Sequence, residues 1–309
     1  MKWTRRILAA SALIILSITA FSFIFPEKVY MFSMNRARAR AGLSVKEVQA
    51  GDHRIVYLER EQGDETLVLV HGFSADKDNW PRMARFLPGY RLIIPDLPGF
   101  GDSTKSEKSE YNVAAQAERL DAFFTAIGLK EFYMAGNSMG GNISGIYAAR
   151  YPQKIKGLIL IDNSGLNFPV KSFVFKEVAK GVNPLLVSGR NDYDRFLGVV
   201  FVKPPFIPLP VKWHLADRAL ASRQFNSKVF REINTMPALI EDKLHRLTMP
   251  VLIIWGDKDM VLDVSGVTVL EKGIKNYKTH ILKDCGHVPM IERPGETAGY
   301  IRTFIESNR

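Results

Sequence analysis

Short apolar segments alternate with segments of helical spacing through most of this chain. Strand-like patterns occupy residues 53–59, 66–70, 90–95, 132–136, 158–161, 251–255 and 280–282. Helical spacing covers residues 120–127, 142–150 and 297–305. Buried strands that alternate with helices are typical of a parallel sheet covered on both faces. The pattern therefore predicts an α/β fold with a mostly parallel central sheet and helices on both faces.

The alternation stops between residues 163 and 248. This interval contains a proline-rich apolar piece at 201–213, followed by an amphipathic segment. A structureless loop of that length is rare inside a compact domain. We therefore expect an inserted helical cap over 163–248, with a core made of residues 51–162 and 249–309.

The N-terminus carries an uncharged run at residues 7–25, about the length that a helix needs to cross a bilayer. Basic side chains precede it, and phenylalanines fill its end. A cleaved signal peptide, which would lead to secretion, usually has a shorter apolar core and a small-residue cleavage site. The sequence favours an uncleaved membrane anchor over residues 1–27. Basic residues flank the run on both sides, so its orientation stays open.

Positive charge is concentrated near the anchor. Residues 1–50 hold eight basic and two acidic side chains, which is +6 of the net charge of +10. Residues 28–50 are accordingly expected to be a basic linker, either solvated or lying on anionic lipid headgroups. The chain contains no recognised nucleic-acid-binding motif. We expect a membrane bilayer as partner and no nucleic acid, whereas the oligomeric state stays open.

The segment YMAGNSMGGNIS, residues 133–144, contains the pattern G-x-S-x-G where a strand is expected to end and a helix to begin. In this context the serine lies on a tight, strained turn, and glycine is needed two positions before and after it. The pattern predicts that Ser138 is a nucleophile. The alternative interpretation is a glycine-rich turn in which the serine has no chemical role.

A serine hydroxyl needs a general base, and His287 is the candidate. His287 follows the last strand segment and precedes the last helix, which fits the chain order serine, acid, histidine. Another histidine, His71, belongs to a separate motif. The remaining histidines lie on strand or cap segments, where a packed or surface imidazole is expected.

The histidine in turn needs a carboxylate that fixes its tautomer. The segment WGDKDMVLD, after the strand at 251–255, offers Asp259 as first choice, Asp257 as second and Asp263 as third. Asp162, at the end of the preceding strand, is an alternative acid position. We expect Asp162 to cap the loop that follows it.

Attack on a carbonyl places negative charge on its oxygen, which two backbone N–H groups must stabilise. The residue after the nucleophile, Met139, supplies one of them. The loop after the third core strand, His71-Gly72-Phe73-Ser74, supplies the other, and Phe73 is the expected donor.

Five sequence blocks in order, HGFSADKDNW, PDLPGFGDS, GNSMGG, WGDKDMVLDVSG and CGHVPMIERP, resemble the α/β-hydrolase superfamily. They are similar to membrane-anchored monoacylglycerol lipases of α/β-hydrolase-domain type and to the bacterial lipases called family V. The resemblance implies an α/β-hydrolase fold in which Ser138, Asp259 and His287 form the catalytic triad. In the cap it extends only to the element Lys203-Pro204-Pro205.

The cap is rich in large apolar side chains that are expected to form an acyl channel. These candidate substrate contacts are Phe201, Phe206, Ile207, Leu209 and Trp213. The alternative is that these residues only pack the cap onto the core.

The expected function is a cofactor-free and metal-free serine carboxylester hydrolase acting on mono- or triacylglycerols. No set of histidines and carboxylates shows metal-ligand spacing. The alternatives are another reaction of the same triad (C–C bond hydrolysis, perhydrolysis or aminopeptidase activity) or a non-catalytic receptor on the same scaffold.

Overall fold

The computed structural model describes residues 2–309, with Lys2 described by its backbone only. The strands are β1 Ser44–Ala50, β2 His53–Arg60, β3 Glu65–Val70, β4 Tyr90–Pro95, β5 Phe132–Asn137, β6 Ile155–Ile161, β7 Val251–Gly256 and β8 Tyr277–Leu282. They form one eight-stranded sheet in the order β1-β2-β4-β3-β5-β6-β7-β8. Strand β2 is antiparallel to both of its neighbours, and all other pairs are parallel.

The helices cover both faces and the ends of this sheet. They are α1 Lys2–Ile24, α2 Pro26–Arg40, α3 Pro81–Ala84, α4 Val113–Ala126, α5 Met139–Arg150, α6 Phe173–Ala179, α7 Arg190–Val200, α8 Leu209–Ala221, α9 Arg223–Thr235, α10 Gly266–Gly273, α11 Pro289–Glu292 and α12 Pro294–Glu306. Short 3₁₀ helices span Lys77–Asn79, Pro152–Lys154 and Ile240–Arg246. The prediction of a mostly parallel α/β sheet is confirmed.

The central strands are apolar along their whole length because both of their faces are covered. Every residue of β5 and β7 is buried. On one face, α4, α5 and α10 contribute side chains such as Phe124 and Tyr147. On the other face, α3 and α12 contribute Met83 and Phe304. Burial of these side chains on both sides is the main force that holds the sheet together.

The segment expected to be a basic linker, residues 28–50, is folded in the structure. Helix α2 covers most of it, and Ser44–Ala50 is the edge strand β1. In β1 only Ala50 is buried, and in α2 only Arg38 is buried. Elements that bury so little apolar surface leave no hydrophobic period in the sequence. The linker prediction was wrong for this reason.

Helix α1 projects from the domain with its side chains exposed. Among the described residues, one helix is long and apolar enough to cross a membrane, Trp3–Ile24, with a mean hydropathy of 2.4. Helix α2 begins directly after it, at Pro26. Both helices contact α8: Phe23 packs on Trp213 with ring centroids 5.8 Å apart, and Tyr30 packs on His214 at 5.7 Å.

Helices α6 to α9 lie within the interval 163–248, where the sequence predicts a cap. They connect β6 to β7, and side chains of α7, α8 and α9 share one cavity with residues at the carboxyl ends of β3 and β5. The cap also has a small apolar cluster of its own, formed by Val187, Tyr193, Leu197 and Ala216.

Candidate active site

Ser138 lies on the turn between β5 and α5. Its backbone has φ 56° and ψ −121°, a conformation that is strained for a residue with a side chain. A Cβ at Gly136 would lie 2.2 Å from the carbonyl oxygen of Gly140, and a Cβ at Gly140 would lie 2.3 Å from that of His71. Glycine is therefore required at both positions, as the motif predicts. The turn puts Ser138 directly before the first amide of α5.

Asp259 and His287, far apart in sequence, are joined by a hydrogen bond. Nδ1 of His287 lies 2.7 Å from Oδ2 of Asp259, and both side chains are buried. Oδ1 of Asp259 accepts the backbone N–H groups of Val261 at 2.7 Å and Leu262 at 3.0 Å. The carboxylate is thus fixed by the main chain of its own loop, and it holds the imidazole in turn.

Ser138 and His287 line the same cavity. A side chain beside the serine ties the two loops together, because Nδ2 of Asn137 donates to the carbonyl oxygen of His287 at 3.1 Å and to that of Ile161 at 3.2 Å. The structure therefore brings the predicted nucleophile, base and acid to one end of the sheet, at the carboxyl ends of β5, β7 and β8.

The other acid candidates are placed differently. Asp257 accepts the N–H of Cys285 at 3.4 Å, and Asp263 accepts the N–H of Ser265 at 2.9 Å. Asp162 is fully buried, and its carboxyl lies beside Asp259 and His287, with ligand atoms of the three groups within 4.8 Å of one another. The carboxylate in direct contact with the histidine is Asp259.

The two predicted backbone donors flank the serine. Met139 is the first residue of α5, where amides have no partner inside the helix. The loop that carries Phe73 passes close to Ser138, since a Cβ at Gly72 would lie 3.1 Å from the Ser138 Cβ. Phe73 itself lines the cavity.

His71 holds this loop in place. Its Nδ1–H donates to the Gly72 carbonyl at 2.8 Å, and its Nε2 accepts the N–H of Leu97 at 3.0 Å. Complete burial lowers the pKa of His71 to about 4. The imidazole is therefore neutral at physiological pH, and one nitrogen donates while the other accepts, as these two bonds require.

The cavity above Ser138 has a volume of about 380 Å³. Of the five predicted substrate contacts, Phe201 and Ile207 line it, whereas Phe206, Leu209 and Trp213 lie outside its lining. Phe206 is 90% exposed. Trp213 packs against α1 instead.

Sequence reasoning missed several lining residues. Tyr30 and Met34 of α2 form part of the wall, together with Leu186, Phe196 and Leu197 of the cap. Helix α2 has no amphipathic pattern, so nothing in the sequence pointed from this segment to the site.

Glu292 of α11 was also missed. Its carboxylate accepts the N–H groups of Gly286 at 3.0 Å, Val202 at 3.3 Å and Lys203 at 2.9 Å. It thereby joins the histidine loop to the start of the Lys203-Pro204-Pro205 element. Val202 and Lys203 are about 90 positions away in the sequence, and no local pattern reveals such a contact.

Asp162, Asp259 and His287 form the one group within residues 2–309 that offers three closely spaced metal-ligand atoms. Nδ1 of His287 and Oδ2 of Asp259 are hydrogen-bonded to each other. Two of the three groups are therefore already engaged with each other in the geometry of an acid–histidine pair.

Comparison with known proteins agrees with this architecture. The α/β-hydrolase fold family matches residues 65–294. Lipase 1 of Psychrobacter immobilis is 36% identical over 271 residues, 86% of each chain, and monoacylglycerol lipase ABHD6 of Homo sapiens is 30% identical over 310 residues, 96% of this chain and 92% of that protein. The crystal structure of a membrane phospholipase A, a bacterial virulence factor, is 40% identical, with a TM-score of 0.90 over 99% of both chains. The predicted resemblance is confirmed, and the chain belongs to the α/β-hydrolase family.

Proposed function

We propose that this protein is a serine hydrolase that cleaves carboxylic esters of lipids, in particular mono- or triacylglycerols, through an acyl-enzyme on Ser138. One observation carries the proposal: the strained serine shares a cavity with a histidine that is hydrogen-bonded to a buried aspartate. This is the arrangement that activates an alcohol for attack on a carbonyl.

The proposed reaction has two halves, acylation of Ser138 and hydrolysis of the acyl-enzyme. His287 Nε2 takes the proton of Ser138 Oγ as the oxygen attacks the ester carbon, and Asp259 stabilises the imidazolium. The negative charge on the carbonyl oxygen is stabilised by the N–H groups of Phe73 and Met139. His287 then gives its proton to the departing glycerol oxygen. In the second half, His287 activates a water that attacks the acyl-enzyme, and the fatty acid is released as Ser138 regains its proton.

The walls of the cavity support a lipid substrate. Leu186, Phe196, Leu197, Phe201 and Ile207 give it an apolar side suited to an acyl chain. We assign α1 as an uncleaved membrane anchor, because its exposed apolar length fits a bilayer and Phe23 packs on the cap at Trp213. An anchored enzyme of this shape takes its ester from the membrane to which it is attached.

A second candidate is the acyl ester of a phospholipid. Three basic side chains, Lys105, Arg218 and Arg223, line the same cavity. Cations beside an apolar acyl pocket suit a lipid whose headgroup carries a phosphate. The 40% identity with the membrane phospholipase A supports this candidate as well.

Substitution of the nucleophile in the full-length, detergent-solubilised protein tests the function. Ser138→Ala should lower kcat/KM by about 10⁴-fold or more on a monoacylglycerol, a triacylglycerol and a phospholipid, since each needs the same nucleophile. Ser164→Ala is the matched control. The N–H of Ser164 donates to the Ser138 carbonyl at 3.1 Å, but its side chain lies outside the cavity lining. The control should retain full activity.

The outcomes separate the hypotheses. A Ser138→Ala variant as active as the wild type refutes the acyl-enzyme. Cleavage of diketones or proline amides without ester hydrolysis favours another reaction of the triad. A wild-type protein that a fluorophosphonate does not label at Ser138 favours a non-catalytic receptor. The ratio of phospholipid to acylglycerol turnover decides between the two lipid classes.

A further inference from the structure

Asp162 lies beside the proposed triad, at the end of β6. Its backbone φ is 44°, in the left-handed region. Its N–H donates to the Ile254 carbonyl at 3.0 Å, and its Oδ1 accepts the N–H of Gly256 at 2.9 Å. Asp162 therefore clamps the end of β7, three residues before Asp259. The sequence predicted that Asp162 caps the loop that follows it, but its Oδ1 instead bonds the end of β7.

The second carboxyl oxygen of Asp162, Oδ2, takes no part in this bond to β7. Oδ2 is buried and has no hydrogen-bond partner among the described residues. One carboxyl oxygen of Asp162 lies within 4.8 Å of a carboxyl oxygen of Asp259 and of a ring nitrogen of His287. A buried ionised oxygen without a donor is costly, whereas a protonated one can itself donate.

The groups around Asp162 favour its neutral form. The titratable neighbours are Asp259 and His287 from the loops after β7 and β8, Cys285 beside His287, and Glu292 of α11. Burial, and next the charge of Asp259, raise the pKa of Asp162 well above its usual value. Burial also raises the pKa of the Cys285 thiol, so the thiol adds no charge.

We propose that Asp162 is a positioning residue of this active site, which keeps its proton and donates a hydrogen bond from Oδ2 to the carboxylate of Asp259. The inference rests on the proposed function. Two carboxyls so close together share one proton more readily than they both ionise. Asp259 already accepts two main-chain amides and is hydrogen-bonded to His287, so it is the hydrogen-bond acceptor of the pair.

The role of this bond is to keep Asp259 oriented while its partner changes charge. When His287 takes the proton of Ser138, Asp259 must remain ionised and aimed at Nδ1. A neutral donor behind Asp259 favours that state without placing a second negative charge beside the imidazole. The proton stays on Asp162 throughout the cycle, and no bond to Asp162 is made or broken.

Two substitutions of Asp162 distinguish a neutral hydrogen-bond donor at this position from a second carboxylate anion. Asparagine and glycine both tolerate the left-handed backbone at this position. Asp162→Asn retains an acceptor for Gly256 and a donor for Asp259, so kcat should stay within about threefold of wild type. Asp162→Gly removes both groups, and kcat should fall about 10- to 100-fold with KM within about twofold.

The pH dependence of kcat/KM provides a readout that a purely structural role would not move. Without the donor from Asp162, Asp259 stabilises the imidazolium of His287 more strongly. Asp162→Gly should therefore move the acid limb, the low-pH side of the kcat/KM profile, to higher pH. Asp162→Asn should leave the limb in place. If Asp162 were instead ionised, Asp162→Asn would remove an anion beside His287 and move the limb to lower pH.

Infrared difference spectroscopy tests the proton directly and needs no turnover. The wild-type protein at pH 7 should show the C=O band of a protonated carboxylic acid that Asp162→Asn lacks. Absence of that band, or an asparagine variant as impaired as the glycine variant, overturns the proposal. A wild-type protein without ester hydrolysis refutes the proposed function instead, and the band then still shows whether Asp162 carries a proton.

Discussion

The proposed catalytic end of the sheet, which carries Ser138, Asp259 and His287, is built differently from the cap with α2. At the proposed catalytic end, the main chain positions two of the three side chains: a strained turn between glycines places Ser138, and two amides fix Asp259, which in turn bonds His287. The cap meets the core loops through scattered contacts, such as the side-chain bond from Asn226 Nδ2 to Ser74 Oγ at 2.8 Å and the main-chain bond from the His287 N–H to the Val200 carbonyl at 2.9 Å. A catalytic arrangement has to be held close to its productive geometry, and the fixed loops at the proposed catalytic end provide that support.

The core of the sheet and the cap also differ in how much apolar surface they bury. Two large apolar clusters cover the faces of the sheet, whereas the cap owns one small cluster. Its surface adds half-exposed ion pairs such as Arg190–Asp217 at 2.6 Å, which contribute little to stability because water screens them. Changes at the catalytic end should therefore alter turnover, and changes in the cap should alter substrate choice.

The largest expected effect comes from the acid at the catalytic end. Asp259→Asn should lower kcat/KM on a short-chain ester by about 10⁴-fold, because an amide neither stabilises the imidazolium nor favours the required tautomer. Asp257→Asn is the control. It lies two residues away on the same loop, and its carboxylate accepts the N–H of Cys285 at 3.4 Å. Its kcat/KM should stay within a few-fold of wild type.

The reverse result would break the comparison. If Asp257→Asn abolished turnover while Asp259→Asn preserved it, the carboxylate fixed by two amides would not be the one used in catalysis. Circular dichroism of both variants shows whether either change acts through folding.

The catalytic end could be predicted from sequence because each of its parts lies next to a strand end. Ser138, Asp259 and His287 follow β5, β7 and β8 within a few residues, and apolar runs reveal those strands. The wall of the cavity could not be predicted in this way. Tyr30 reaches it from a helix without apolar periodicity, and Glu292 acts through residues about 90 positions away.

The predicted substrate contacts in the cap divide between the cavity lining and the rest of the cap for a related reason. Phe201 and Phe206 are equivalent in a hydrophobic pattern, yet one lines the cavity and the other is 90% exposed. A proline-rich segment has no regular period, so its inward and outward faces depend on tertiary contacts.

These two phenylalanines provide the second prediction. Phe201→Ala should lower the ratio of long-chain to short-chain kcat/KM by about 10-fold, the scale expected when a buried aromatic contact with an acyl chain is lost. Phe206→Ala should leave that ratio unchanged. Hydrolysis of a series of acyl esters in detergent measures both. An equal loss in the two variants would mean that the acyl chain leaves the cavity along the exposed side of the cap.

The smallest expected effect lies where the two regions meet. Asp76 follows the loop of Phe73, its Oδ1 accepts the N–H of Asp78 at 2.9 Å, and its Oδ2 lies 3.7 Å from Arg218 of the cap. Burial, followed by the charges of Asp96 and Asp78, raises the pKa of Asp76 to about 6. Asp76→Asn should raise the free energy of unfolding at pH 8 by about 2 kcal/mol, measured by denaturant titration in detergent.

The free energy of unfolding depends on pH because the pKa of Asp76 differs between the folded and unfolded states. A carboxyl whose pKa is raised in the folded state stabilises the protein below its unfolded pKa, and that stability is lost as pH rises through the folded value. The advantage of Asp76→Asn should therefore appear between about pH 4 and 6 and stay constant above. Asp78→Asn is the matched control. The Asp78 carboxylate accepts two hydrogen bonds from Arg38, at 2.8 and 2.5 Å, so this variant should be less stable than the wild type. If Asp76→Asn lost as much stability as this control, the contact with Arg218 would be a true ion pair, and the cap would be fixed to the core as firmly as α2 is.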